Sequence, residues 1–198
     1  MVSRRPSIAK SAVATGRGDD GSTGLLYGGR IAKDDLRTEA YGTVDEAVAA
    51  LGMARIELAH AGLTELAESV LRWQRELFVV GAQLATNPDA VDRLQDGVTR
   101  VSEEMLEGVE AELARWESAI EMPREFVVPG ETRASAALEL ARAVLRRAER
   151  RVIGLERVVD LASAWIVPYV NRLADLLWVL ARVAEQGEHV AATKARTR

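Results

Sequence analysis

Beyond residue 40, apolar residues recur every three to four positions, and turn residues cut the pattern into five segments. Thr43 and Glu46 have capping-box spacing, which predicts a first helix from Thr43 to a stop at Gly62. Val44, Val48, Leu51, Ile56 and Leu58 would form its buried stripe. A second helix is expected over 64–86, with Leu66, Val70, Trp73, Leu77, Val80 and Leu84 inward, until Asn87 and Pro88 end it. A third, over 98–120, turns Val101, Met105, Val109, Leu113 and Trp116 to the core and is rich in glutamate elsewhere. MPREFVVPGET then reads as an ordered loop. The fourth helix begins near Thr132 or Ser135, and the fifth covers 161–186, with a kink or fresh start at Pro168. No internal repeat and no strand run stand out. The expected fold is all-α, a five-helix bundle of ferritin-like kind, with a glycine-rich loop ahead of it.

Composition narrows the chemistry. The 198 residues are 48% hydrophobic, enough for one cored domain, expected over 15–186. Residues 1–14 read as a flexible basic arm rather than a transit peptide, and 187–198 as a disordered tail. The absence of cysteine removes disulfides, thiolate nucleophiles and zinc–thiolate sites. His60 and His189 are the only histidines, and neither is expected to be catalytic. The remaining option is chemistry driven by binding and electrostatics. No apolar run approaches the roughly 18 residues of a membrane span. A cytoplasmic chain with no membrane or nucleic-acid partner is expected.

Against a net charge of −4, ARAVLRRAERR packs five arginines into eleven residues. At about 100° per residue, Arg142, Arg146 and Arg150 share one strip roughly 80° wide. Leu138, Ala141, Leu145, Ala148 and Val152 form the apolar stripe, and Arg147 and Arg151 fall on a third sector that reads as solvated. Arginines at i, i+4 and i+8 repel one another, so the strip suits an anionic partner, carboxylate or phosphate. Glu149, three residues after Arg146, can orient that guanidinium.

Two other stretches carry polar chemistry. In NRLAD, Asn171 and Asp175 share a helix face among apolar neighbours, which predicts partial burial and a need for partners. In TGRGDDGSTG, glycines at 16, 18, 21 and 24 free the backbone to point N–H groups at a phosphate, and Arg30 and Lys33 follow. This is not a Walker A loop, because no GK[ST] follows at the required spacing.

TGRGDDGSTG, RIAKDD, YGTVDE, FVVPGET, RAVLRRAER and NRLAD, in that order, resemble the ATP:cob(I)alamin adenosyltransferases of the propanediol-utilisation type, over roughly residues 15–183. The resemblance implies a homotrimer of five-helix bundles with sites between subunits. It implies that ATP is wrapped by Thr15, Arg17, Gly18, Asp19, Gly21, Ser22, Thr23, Arg30 and Lys33 of one subunit. Arg146, Glu149, Arg150 and Asn171 of the neighbour would complete the nucleotide site, with Arg146 and Asn171 catalytic. Phe126 and Asp175 would lie on the cobalamin side, and Asp45 and Arg142 would bridge subunits. The implied reaction is attack by cob(I)alamin on C5′ of ATP, with Mg²⁺ sharing the charge of the triphosphate; the metal ligands are left open. A flavin-type reductase and a cobalamin-dependent mutase are the implied partners.

The sequence departs from that pattern at Gly16 and Arg17, where the family has lysine and threonine, and at Glu131, where it has glycine. Glu139 replaces a common histidine. These changes bear on ATP affinity and rate. They keep two other readings in play: a weakened homologue that binds and delivers cobalamin or nucleotide, and a helical oligomer whose arginines only bridge subunits.

Overall fold

A computed structural model describes residues 11, 13, 14, 16–186 and 190–192. Among the described residues the chain forms five α-helices: α1 (Leu36–His60), α2 (Thr64–Leu84), α3 (Glu103–Glu117), α4 (Arg133–Glu156) and α5 (Ile166–Ala184). Helix α1 packs on α2 and α4, α4 on α5, and α5 on α3. Ion pairs Arg133–Glu57 and Arg151–Glu39 link opposite ends of α4 to opposite ends of α1, so the two run antiparallel. No described helix is long and apolar enough to cross a membrane.

The stripe expected on α4 is the one buried, since Leu138, Ala141, Leu145, Ala148 and Val152 are all fully covered. The same holds for the six inward positions expected on α2. Helix α1 differs at both its start and its face. It begins at Leu36, capped by the Asp35 carboxylate accepting from the Arg37 backbone N–H, about two turns before Thr43. The Thr43 hydroxyl instead donates to the Glu39 carbonyl inside the helix. Ile56 points outward at 53% exposure, and the inner face is lined by Ala40, Ala47, Ala50 and Ala54 beside Val44, Leu51 and Leu58. An alanine-rich face carries little hydrophobic contrast, so periodicity alone did not locate it.

Helix α4 opens with a full capping box. The Thr132 hydroxyl accepts from the Ser135 N–H at 3.0 Å, and the Ser135 hydroxyl accepts from the Thr132 N–H at 3.1 Å. Pro168 marks a fresh start, in the first turn of α5, where its missing N–H costs nothing.

Four short strands were not expected. Strands β1 (Ser22–Gly24) and β2 (Arg30–Ala32) form an antiparallel hairpin within the glycine-rich segment. Its turn docks on the end of α2, where the Leu26 N–H donates to the Ala85 carbonyl at 2.8 Å. Strand β3 (Val127–Val128) lies in the loop before α4 and pairs with β4 (Val190–Ala191). The tail expected to be disordered is therefore held at these two residues. Each strand is only two or three residues long, below the length at which alternation can be seen in a sequence.

Candidate functional site

Two polar regions emerge, at different places on the bundle. The first is the hairpin. Gly21 takes a left-handed φ of 82° where the chain turns into β1, and the Lys33 N–H donates to its carbonyl at 2.9 Å. Gly18 leaves room for Lys33, whose Nζ would lie 2.9 Å from a Cβ there. Arg30 braces the turn from within: its Nε donates to the Ser22 hydroxyl at 2.9 Å and its Nη2 to the Arg17 carbonyl at 2.6 Å. The Asp20 carboxylate accepts from the Ser22 backbone N–H at 2.9 Å and the Ser22 hydroxyl at 2.8 Å. Those two bonds, more than Arg30, hold its carboxyl below the ordinary value. Asp19 sits in the same turn, its N–H bonded to the Gly16 carbonyl, and Thr23 pairs with Ile31 across the hairpin. Thr15 lies outside the described residues, as does His189.

The second region is a cleft between α4, α5 and the loop before α4. A cavity of about 690 Å³ is lined by Pro123, Phe126 and Pro129 from the loop, and by Arg142, Arg146 and Trp178 from the helices. A second, of about 430 Å³, continues past Trp178 to Arg172 and Asp175 and shares Arg142, Arg146 and Trp178 with the first. The loop wall mixes Phe126, Val127 and two prolines with Arg124 and Glu125, and the helix wall sets Arg142 and Arg146 beside Glu139 and Trp178. Phe126 is 86% exposed, an aromatic ring held against water at the cleft mouth. Its carbonyl is bound by the Ala192 N–H at 2.7 Å.

The five arginines divide by sector. Arg147 pairs with Glu46 and Arg151 with Glu39, so the sector read as solvated is matched to α1. Arg142 donates from Nε to Glu139 at 2.7 Å. Arg146 and Arg150 have no hydrogen-bond or ion-pair partner among the described residues and are exposed. Glu149 does not orient Arg146: it accepts from the Asn171 amide at 2.9 Å, tying α4 to α5. In NRLAD, Asn171 is exposed rather than partly buried. Asp175 pairs with Arg172 at 3.2 Å, and Arg172 also reaches Glu110 at 3.1 Å. Asp45 is exposed on α1, and within the chain Arg142 is bonded to Glu139.

Arg142, Arg146, Phe126 and Asp175 thus meet in one continuous cleft, with Asn171 and Glu149 further along the α4–α5 seam. Ser22, Thr23 and Arg30 make no hydrogen bond to α4 or α5. Trp178, one of the apolar neighbours of NRLAD, lines both parts of the cleft. Its place two turns after Asn171 is the signal that could have found it.

Fold and cleft together define a helical-bundle protein able to hold a large, partly apolar ligand beside an anionic one. The family model described as cobalamin adenosyltransferase matches residues 13–184. The chain belongs to that family. It is 39% identical over 180 residues to a corrinoid adenosyltransferase of Citrobacter freundii, covering 91% of this chain and 98% of that one. It is 35% identical over 170 residues to the corrinoid adenosyltransferase of Bacillus subtilis, covering 85% and 84%. Its fold matches a variant PduO-type ATP:corrinoid adenosyltransferase from Lactobacillus reuteri, complexed with cobalamin and ATP. That match has a TM-score of 0.81 and 27% identity, over 91% of this chain and 98% of that one.

Proposed function

We propose that the protein transfers the 5′-deoxyadenosyl group of ATP to cob(I)alamin, forming adenosylcobalamin and releasing triphosphate. The observation that carries this reading is the cleft itself. Arg146, which has no acidic partner among the described residues, faces the same space as an exposed phenylalanine, Phe126. The nucleophile is the substrate's own cobalt, so no protein base or thiolate is required, in keeping with a chain that has no cysteine and two histidines. The protein's work is alignment of C5′ with the cobalt and stabilisation of charge on the departing triphosphate. Arg146 meets that charge, with Arg150 beside it. Asn171 and Glu149, bonded to each other, hold the nucleoside end. Phe126 and Trp178 provide the apolar surface that takes the corrinoid.

Among the described residues no three His, Cys, Asp or Glu form a metal-binding group, and Mg²⁺ needs none, since it binds through substrate phosphates with one or two carboxylates. Mg²⁺ belongs to the nucleotide substrate and enters on its phosphates.

The nucleotide loop acts in trans, in a homotrimer. In support, the hairpin docks on the end of α2, whereas the cleft opens between α4, α5 and the loop at 118–132. The hairpin of one subunit reaches the cleft of the next, and Asp45 of one meets Arg142 of the other. A reductase that supplies cob(I)alamin and a mutase that consumes the product complete the expected setting, in the cytoplasm.

The test is direct. Purified protein with ATP, Mg²⁺ and chemically reduced cobalamin should form a light-sensitive cobalt–carbon bond. No spectral change at saturating substrates would reject the enzyme and favour a binder.

A further inference from the structure

Glu139 is 5% exposed, and its two carboxylate oxygens are used in opposite directions. Oε2 accepts from Nε of Arg142 at 2.7 Å, and Oε1 accepts from Nη2 of Arg182 at 3.1 Å. Arg142 lines both parts of the cleft. Arg182 is 4% exposed, and its guanidinium carbon stands 5.4 Å from the centre of the Trp178 ring. Beyond it, Glu185 accepts from Arg182 at 2.9 Å. The result is a row of alternating charges, Arg142–Glu139–Arg182–Glu185, running from the cleft wall into the interior.

Such a row is weak evidence for stability, because desolvating buried ions offsets most of their attraction. Its geometry points elsewhere. A guanidinium has five N–H donors in a fixed plane, so binding one edge sets the direction of the rest. With Nε committed to Glu139, the terminal nitrogens of Arg142 make no hydrogen bond among the described residues; they are aimed along the cleft edge, where Asp45 of the partner subunit would meet them.

We propose that Glu139 is a positioning residue of the cleft, fixing the guanidinium of Arg142 through Nε and bracing Trp178 through Arg182. The proposal rests on the adenosyltransferase reading of the cleft. It makes Glu139 a determinant of corrinoid binding, since Arg142 and Trp178 stand with Phe126 around one space.

Steady-state kinetics on the full chain, with Mg–ATP and chemically reduced cobalamin as the probe, test it. The unsubstituted chain comes first; no cobalt–carbon bond there would overturn the reading of the cleft and this proposal together. Given activity, Glu139→Gln should raise the corrinoid KM about tenfold, the worth of one charge-assisted hydrogen bond, and leave the ATP KM within about twofold. A corrinoid KM within about twofold of the unsubstituted value would overturn the positioning role alone. Glu185→Gln is the comparison, because it removes a charge from the same row one step further from the cleft. It should lower Tm without moving the corrinoid KM. An equal KM rise in both variants would mean that the row serves only the fold and would overturn the proposal. If Glu139→Gln shows no cooperative melt, Glu139→Asp takes its place. It keeps the charge but is one methylene too short to span both arginines, so the KM rise is again expected, and its absence overturns the proposal.

Discussion

Arg147 and Arg151 lie against acids of α1, whereas Arg142 and Arg146, on the same helix, face a cleft whose far wall carries the exposed Phe126. The two sectors have the same residue type and nearly the same sequence surroundings. They differ in what the fold sets opposite them. On the α1 side the charge is spent, in half-exposed pairs that hold two helices in register. On the cleft side Glu139 engages one nitrogen of Arg142, and Arg146 has no acid at all among the described residues. An exposed cation with no acid opposite it contributes little to a fold and stays available to a ligand. Charge density alone therefore says little, and the opposing surface decides.

Substitutions can break this comparison at either face. The largest effect belongs to Arg146→Ala, which should lower turnover by about a hundredfold or more while far-UV circular dichroism stays unchanged. Unchanged turnover would remove Arg146 from the site. Asn171→Ala comes next. It strips the amide from Glu149 and should raise the ATP KM about tenfold, measured with cobalamin saturating. On the α1 side, Arg151→Ala should cost less than about 1 kcal/mol in denaturant unfolding and leave turnover as it was, because its pair is exposed and screened. A large loss of activity there would erase the distinction between the faces.

The smallest effect is a pH response confined to the hairpin. Arginines on both faces of α4 stay charged throughout the working range. Asp20 does not: bonds from the Ser22 N–H and hydroxyl hold its carboxyl below the ordinary 3.8. A lowered carboxylate contributes order that is present above the ordinary value and is lost as pH falls through the lowered one. The Ser22 amide resonance should therefore be constant from neutral pH to about pH 5 and shift only in stronger acid. A midpoint above 3.8 would contradict the hydrogen bonds of the turn.

What the sequence made legible followed from contrast. The stripes of α2 and α4 alternate large apolar with charged residues, and each expected position is buried. Motif order put Arg146 and Phe126 among the candidate site residues, and the fold brings both to one cleft. Other features were illegible for stated reasons. The start of α1 is set by Asp35, and the polar Thr43 and Glu46 that imitate a cap lie within the helix. The partner of Glu149 comes from another helix, 22 residues away, and local spacing favoured Arg146 instead. Glu139 showed only as a departure from a family pattern. Its bond to Arg182, 43 residues on, needed three dimensions.

The pairing of Val127–Val128 with Val190–Ala191 has a consequence in time as well as space. The segment bearing Phe126 is made before α4 and α5, but the strand that fastens it is made after both. A nascent chain halted after α5 already possesses every helix, yet the backbone carbonyl of Phe126 still lacks its bond from Ala192. The loop that carries Phe126 is then without its strand partner. Completion of the cleft therefore waits on residues beyond the last helix, and truncation directly after α5 would spare the bundle while loosening the loop that carries Phe126.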